Sequence, residues 1–141
     1  MHDFEINFYE NPIKVDTIQN NYLLLFVIHG SVSVTLSSDT IVLCEKDVLL
    51  IHANRHFILQ SLPESFFMEI SIHSDLLRKL TQSQVPHFQC CSALYSGMKY
   101  EQLRYFIEEL LGECALDTDN MNAKKLSTLY KLFDHLIQAF L

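Results

Sequence analysis

Two histidines flank an arginine near the middle of this chain, and four cysteines are spread along it; these are the side chains with the most chemical reach. His52 and His56 have the spacing His-x-x-x-His, which on a helix would set two imidazoles on one face, ready for a metal. Here the apolar run ahead of His52 reads as a strand end and the residues after it as a turn, so the pair is expected at the surface or at a pocket rim. In that place His52, Arg55 and His56 could meet a carboxylate. His29, beside Gly30, reads as a turn residue. Cys44, Cys90, Cys91 and Cys114 form no Cys-x-x-Cys pair, so neither a zinc knuckle nor a thioredoxin-like motif is expected. The vicinal Cys90 and Cys91 could sense redox state; reduced, half-buried thiols are the plainer reading. No nucleophile elbow, phosphate-cradling loop or pair of catalytic carboxylates is present, and 3 glycines leave little to build such loops. The expectation is a protein with no catalytic residues, no metal and no cofactor.

The elements that must position these residues follow from length and pattern. A chain of 141 residues suits one compact domain. With 49% hydrophobic residues and 19% charged ones it can bury a sizeable core and keep apolar surface for a partner. The longest apolar run, Tyr22 to Ile28, falls far below the roughly 18 residues of a membrane helix. The start, Met1-His2-Asp3-Phe4-Glu5, lacks a secretory signal pattern, and the expected location is the cytoplasm with no membrane partner. A net charge of −7, with scattered basic residues, argues against nucleic-acid binding by this segment.

Short strands with turns between them run through the first part. Ile13 to Ile18 alternates strictly, Tyr22 to Ile28 is apolar on both faces, and Val32 to Leu36 alternates again after the turn at His29-Gly30-Ser31. Further strands are predicted over Thr40–Leu43, Val48–Ile51, Phe57–Leu59 and Phe66–Ile72, with one more at Phe88–Cys91. This is the pattern of a sandwich or barrel. The period then changes. Ser74 is placed to cap a short helix carrying Leu76, Leu77 and Leu80, which Pro86 follows. Met98 to Leu116 reads as an amphipathic helix, with Leu103, Phe106, Ile107, Leu110, Leu111 and Cys114 on one stripe. After a loop at Asp117–Asn120 a last helix begins at Met121. The fold class is therefore mainly β with C-terminal α: a barrel over residues 1–95 and a helical segment over 96–141.

In the last helix Leu126, Phe133 and Phe140 lie 7 apart, as do Leu129 and Leu136, while Tyr130 and Ile137 widen the stripe. Each such side chain contributes roughly 1.5–3 kcal/mol once buried, so the face must find a partner surface. Packing within the chain is one solution. The other is a two-fold homodimer built from Leu103, Phe106 and Leu110 of one helix and Leu126, Leu129, Tyr130, Phe133, Leu136, Ile137 and Phe140 of the next. The pattern is still running at Gln138-Ala-Phe-Leu141, with no C-cap or polar tail, which reads as a chain cut short.

The run Asn21-Tyr-Leu-Leu-Leu-Phe-Val-Ile-His-Gly-Ser-Val-Ser-Val34 resembles the segment that opens the cupin barrel in N-terminal domains of AraC/XylS-family regulators. Thr40 to Asn54 resembles that family's next hairpin, an acidic turn leading into an apolar strand and a polar loop. The likeness covers about residues 10–75, and the two following helices agree in order. It implies a cupin-type jelly roll that holds an effector and dimerises through helices. DNA would be bound only by a separate C-terminal domain of helix-turn-helix type, absent from these residues. Metal-binding cupins carry two His and a Glu in a first motif and another His in a second. Here the Glu position, 7 before Gly30, holds Leu23, and residues 18–21 contain no His. Of the second motif only His56 could survive, one residue before the place Phe57 takes, and one imidazole cannot hold a metal.

A barrel of this size can enclose one small molecule. The expected lining is Leu23, Leu25 and Val27; Val34; Leu49 and Ile51; and Phe66, Met68 and Ile70, with parity open by one residue. The same side chains would otherwise fill the core. Such a lining favours an apolar or amphipathic effector, with His52, Arg55 and His56 at the rim for a carboxylate such as that of a fatty acid. A non-catalytic, stand-alone dimerisation or protein-interaction module is the alternative.

Overall fold

The computed structural model describes residues 3–82, 100–116 and 121–140. Among them eight strands come first: β1 (Phe4–Tyr9), β2 (Lys14–Ile18), β3 (Tyr22–His29), β4 (Val32–Leu36), β5 (Asp39–Leu43), β6 (Val48–Ile51), β7 (His56–Ser61) and β8 (Phe66–Ile72). The helices α1 (Ser74–Leu80), α2 (Tyr100–Leu116) and α3 (Met121–Phe140) follow. Periodicity places every one of these except β1. There Phe4, Ile6 and Phe8 do alternate with Glu5, Asn7 and Tyr9, but no turn signal precedes them, and it is pairing along all of β8 that fixes the strand. The strand expected over 88–91, Pro86 and the loop 117–120 lie outside the described residues.

The strands form two antiparallel sheets, in the orders β1-β8-β3-β6 and β2-β7-β4-β5. The links 10–13, 30–31 and 62–65 each cross from one sheet to the other. With the two orders laid face to face, β1 faces β2, β8 faces β7, β3 faces β4 and β6 faces β5. This order is that of a jelly roll, two Greek keys laid face to face. The tightest crossing is held by Gly30, at φ +83°, against Ser65. The Ser65 hydroxyl accepts from the Ser31 N–H at 3.1 Å and donates to the Ser31 carbonyl at 3.0 Å, tying two crossings together.

Side chains facing inward from both sheets form one core. It contains Leu23, Leu25 and Val27 of β3, Val32, Val34 and Leu36 of β4, Leu49 and Ile51 of β6, Phe57 and Leu59 of β7, and Phe67 of β8. The opposite face of the first sheet is a second apolar layer. Its cross-strand rows run Ile6, Ile70, Leu24, Leu50 and Phe8, Met68, Phe26, Val48. That is why β3 is apolar on both faces, as its sequence implies: Leu23 through Val27 are all buried.

One compact unit holds the strands and runs on to Leu77, and a second begins at Arg78 and holds α2 and α3. Helix α1 is capped one residue earlier than Ser74. His73 Nδ1 accepts from the Asp75 N–H at 3.2 Å, and the His73 carbonyl takes the first helical bond, from Leu77 N–H at 3.0 Å.

In the second unit α2 packs against α3, burying Ile107, Leu110, Leu129, Leu132, Phe133 and Leu136. The Thr128 hydroxyl donates to Glu113 at 2.7 Å across the pair. Four residues expected at a dimer interface, Leu110, Leu129, Phe133 and Leu136, are thus at 0% exposure within a single chain. Packing inside the chain therefore takes this part of the stripe, and these four side chains need no second molecule to cover them. Phe106, Leu126 and Ile137 are half-buried, Tyr130 is exposed, and the side chains of Leu103 and Phe140 lie outside the described ones. No helix among the described residues is long and apolar enough to cross a membrane.

Candidate ligand site

The inward side chains of the jelly roll pack on one another: Leu25, Val27 and Val34 expose 0% of their surface, Leu23 1%, Ile51 2% and Leu49 3%. These six residues of the expected lining do face inward together, and they meet each other. The remaining three do not join them. In an antiparallel pair directly opposed residues share a face, and Leu23 opposes Ser71 while Leu25 opposes Glu69. Met68 and Ile70 therefore belong to the outer layer, with Phe26 and Leu24, and Phe66 packs its ring beside Phe8 there at 5.9 Å. The parity chosen for β8 is corrected by one residue. It was set by apolarity alone, and in β8 the more apolar face is the outer one.

The rim residues are also dispersed. His56 projects from the solvent face of the second sheet, where its Nε2 meets Asp16 Oδ1 at 2.5 Å. Arg55 is exposed in the turn before β7. His52 lies beside the Tyr22 ring, with centroids 5.5 Å apart. His56 and His52 thus have separate neighbours, Asp16 and Tyr22, and the left-handed Asn54 (φ 63°) lies between them in the chain. Among the described residues no group of three or more His, Cys, Asp and Glu side chains is placed to hold a metal. Cys44 is exposed and Cys114 half-buried; Cys90 and Cys91 lie outside the described residues.

A different set of inward residues stays within reach of solvent. Along the edge where β1 faces β2, Asn7, Tyr9, Ile13, Val15 and Thr17 are only half-buried and Glu5 is exposed. At the opposite edge, where β6 faces β5, Leu43, Leu49 and Ile51 are fully buried. Of the inward side chains at that opposite edge Ile41 alone is half-buried among the hydrophobic ones, whereas along β1 and β2 every one keeps some exposure. Glu69 stands at the boundary between the β1/β2 edge and the close-packed core. It opposes Asn7 on one side and Leu25 on the other, and its carboxylate accepts a hydrogen bond from the Tyr9 hydroxyl. The Tyr9 ring stacks on Phe67, with centroids 5.1 Å apart, and a step further along the same face Asn21 donates to the Ser71 hydroxyl at 3.1 Å.

Burial pushes the Glu69 carboxyl above its ordinary value; the Tyr9 hydroxyl opposes this and Glu5 adds to it. The Tyr9 phenol is raised too, first by burial and then by Glu69 and Glu5. The sign of the linkage follows. A carboxyl whose folded pKa is raised favours folding most below its unfolded value near 4.5, and that contribution is lost as pH rises through the folded value. Glu69→Gln keeps an oxygen to accept from Tyr9 but carries no charge. Its melting temperature is expected to match the wild type near pH 4 and to exceed it increasingly from there toward neutrality. Parallel curves across that range would show that Glu69 titrates as it does in the unfolded chain. Sequence reading passed over Glu69, although a lone carboxylate inside Phe66-Phe-Met-Glu-Ile-Ser-Ile is itself a signal: mid-strand charge is costly unless it has a task.

No family model matches the chain, and no curated protein matches it either. Solved structures do. A cupin superfamily protein from Desulfitobacterium hafniense is 15% identical, over 50% of this chain and 66% of that one, with a TM-score of 0.44. The Cnp3 cupin domain of Schizosaccharomyces pombe is 10% identical, over 54% and 58%, at a TM-score of 0.44. ToxT from Vibrio cholerae is 17% identical over 60% of this chain and 36% of its own, at a TM-score of 0.45, and another of its structures is bound to (E)-4-(8-methylnaphthalen-1-yl)but-3-enoic acid. The chain thus spans from 36% to 66% of these proteins' own length. With sheets ordered β1-β8-β3-β6 and β2-β7-β4-β5, the chain has the fold of a two-sheet jelly roll followed in sequence by α-helices.

Proposed function

We propose that this chain is a non-catalytic sensing module of an AraC/XylS-type regulator, which takes a small molecule at the open β1/β2 edge and passes the change on through α2 and α3. The observation that carries the reading is Glu69. Among the described carboxylates of the jelly roll only Asp47 and Glu69 are drawn in from solvent. Asp47 closes a turn by accepting from the Cys44 N–H at 2.8 Å, whereas Glu69 sits mid-sheet, where an apolar residue would be cheaper. A half-buried charge on an apolar shelf open to solvent is how a binding site fixes the orientation of a small ligand. In this reading binding shifts a population between two arrangements, and DNA is left to a separate basic domain, since a charge of −7 repels phosphate. Among the described residues of the helices, a homodimer could use Tyr130, Leu126 and Ile137 of α3 and the exposed Tyr105 and Leu111 of α2.

The close packing of the inward side chains favours a second reading, a stand-alone dimerisation or protein-interaction module with no ligand at all. Native mass spectrometry of protein purified from its own cells separates the two. A retained small molecule, one per chain and displaced in a Glu69→Leu variant, is expected from sensing. A bare chain mass, with no thermal shift from any metabolite fraction of those cells, would leave the interaction module.

A further inference from the structure

Resting on that reading, the geometry points to a specific head group: we infer that the open edge binds an amphipathic primary amine, its ammonium on the Glu69 carboxylate and its apolar chain along Tyr9, Ile13 and Val15.

The charges decide the head group. The inward positions at this edge are Glu5, Asn7 and Tyr9 of β1; Ile13 just before β2, with Val15 and Thr17 in it; and Phe67, Glu69 and Ser71 of β8. They include two carboxylates and no lysine, arginine or histidine. An ionised carboxylate can only accept hydrogen bonds, and the Tyr9 hydroxyl uses one of its lone pairs. Another carboxylate brought here would meet no cation among these inward positions, and would add a third negative charge to Glu5 and Glu69. An ammonium group supplies both what Glu69 lacks and what offsets its burial: donors, and a countercharge. The basic residues first expected to take an acidic head lie elsewhere. His56 is engaged by Asp16 on the solvent face of the other sheet, and Arg55 is in an exposed turn.

The surroundings decide the tail. Tyr9, Ile13 and Val15 pack against the core on one side and keep partial exposure on the other, forming an apolar shelf that ends at Glu69. Beneath it Phe67, Phe57 and Leu59 are close-packed. The shelf can be covered but not penetrated, which suits a flexible chain lying along the edge better than a rigid body needing a cavity.

The test uses three probes with one tail: octylamine, 1-octanol and sodium octanoate, titrated calorimetrically near pH 7.5 into the whole chain. Octylamine is expected to bind about tenfold or more tighter than octanol, the range of a charge-assisted hydrogen bond, and octanoate more weakly than either. In Glu69→Gln the advantage of the amine over octanol should collapse to about one, with octanol itself unchanged. Asp16→Asn removes the same unit of charge from the other sheet's solvent face and should leave the preference intact, which separates a site from the general pull of an acidic protein. Octanoate binding as well as octylamine, or an amine preference that survives Glu69→Gln, would overturn the head-group assignment while leaving a small-molecule edge in place. Binding of octanol without an amine advantage would do the same. Failure of all three probes to bind would take down the assignment and the sensing site together.

Discussion

Replacing Gly30 by alanine is expected to destabilise the jelly roll by about 2–5 kcal/mol, enough to unfold a large share of the molecules at physiological temperature. Two costs add. A side chain at φ +83° sits where L-residues lose roughly 1–2 kcal/mol. A Cβ there would also lie 2.5 Å from the Ser65 Oγ and 2.8 Å from the Ser65 Cα. The Oγ could swing away, though only by abandoning both of its bonds to Ser31; the Cα is backbone and cannot move without shifting the 62–65 crossing. Overpacking of that kind costs about 1–3 kcal/mol. Gly112 supplies the internal comparison. It lies in the middle of α2 with nothing within 4 Å of an added Cβ, so Gly112→Ala should stabilise by about 0.5–1 kcal/mol through helix propensity. Urea denaturation followed by circular dichroism reads both. A Gly30→Ala midpoint equal to the wild type would mean that the 30–31 crossing is not held as described.

Phe133→Ala should cost about 3–5 kcal/mol, the usual loss for a large aromatic removed from a packed interior. The ring is fully buried in a single chain, so the loss should be the same at nanomolar and at high micromolar protein. This distinguishes a core residue from an interface residue. Were Phe133 a dimer contact, the variant would instead dissociate on dilution and recover stability at high concentration, following mass action. Tyr130→Ser, at a position 41% exposed on the same helix, offers the converse: little change in folding, with any effect confined to association.

Much of this architecture was legible in the residues. Seven strands follow from alternation or short apolar runs set between turns, and three helices from a capping residue or an apolar stripe, because burial writes itself into the pattern. The double-sided apolar run of β3 correctly announced a strand covered twice. The site was read less well. Strand β8 carries apolar residues on both faces, so its period fixed where the strand lies and left open which way it turns, and Phe66, Met68 and Ile70 were assigned inward in place of Phe67, Glu69 and Ser71. The heptads of α3 were equally two-valued. A stripe such as Leu129, Phe133 and Leu136 states that a partner surface exists and says nothing about whose it is.

By itself, then, the sequence determined the order of the elements, the alternation that makes a two-sheet β-fold, the charge that argues against a phosphate-binding role, and the glycine on which the turn after β3 depends. These are local properties: each is set by residues a few positions apart. The tertiary structure decided the rest. Pairing β1 with β8, 60 or so residues apart in sequence, brought Tyr9 to Glu69 and made one edge of the jelly roll polar and open. Pairing β3 with β6 and β8 buried Leu23 through Val27. Register across distant strands chooses which of two faces turns inward, and no pattern within one strand contains that choice when both of its faces are apolar.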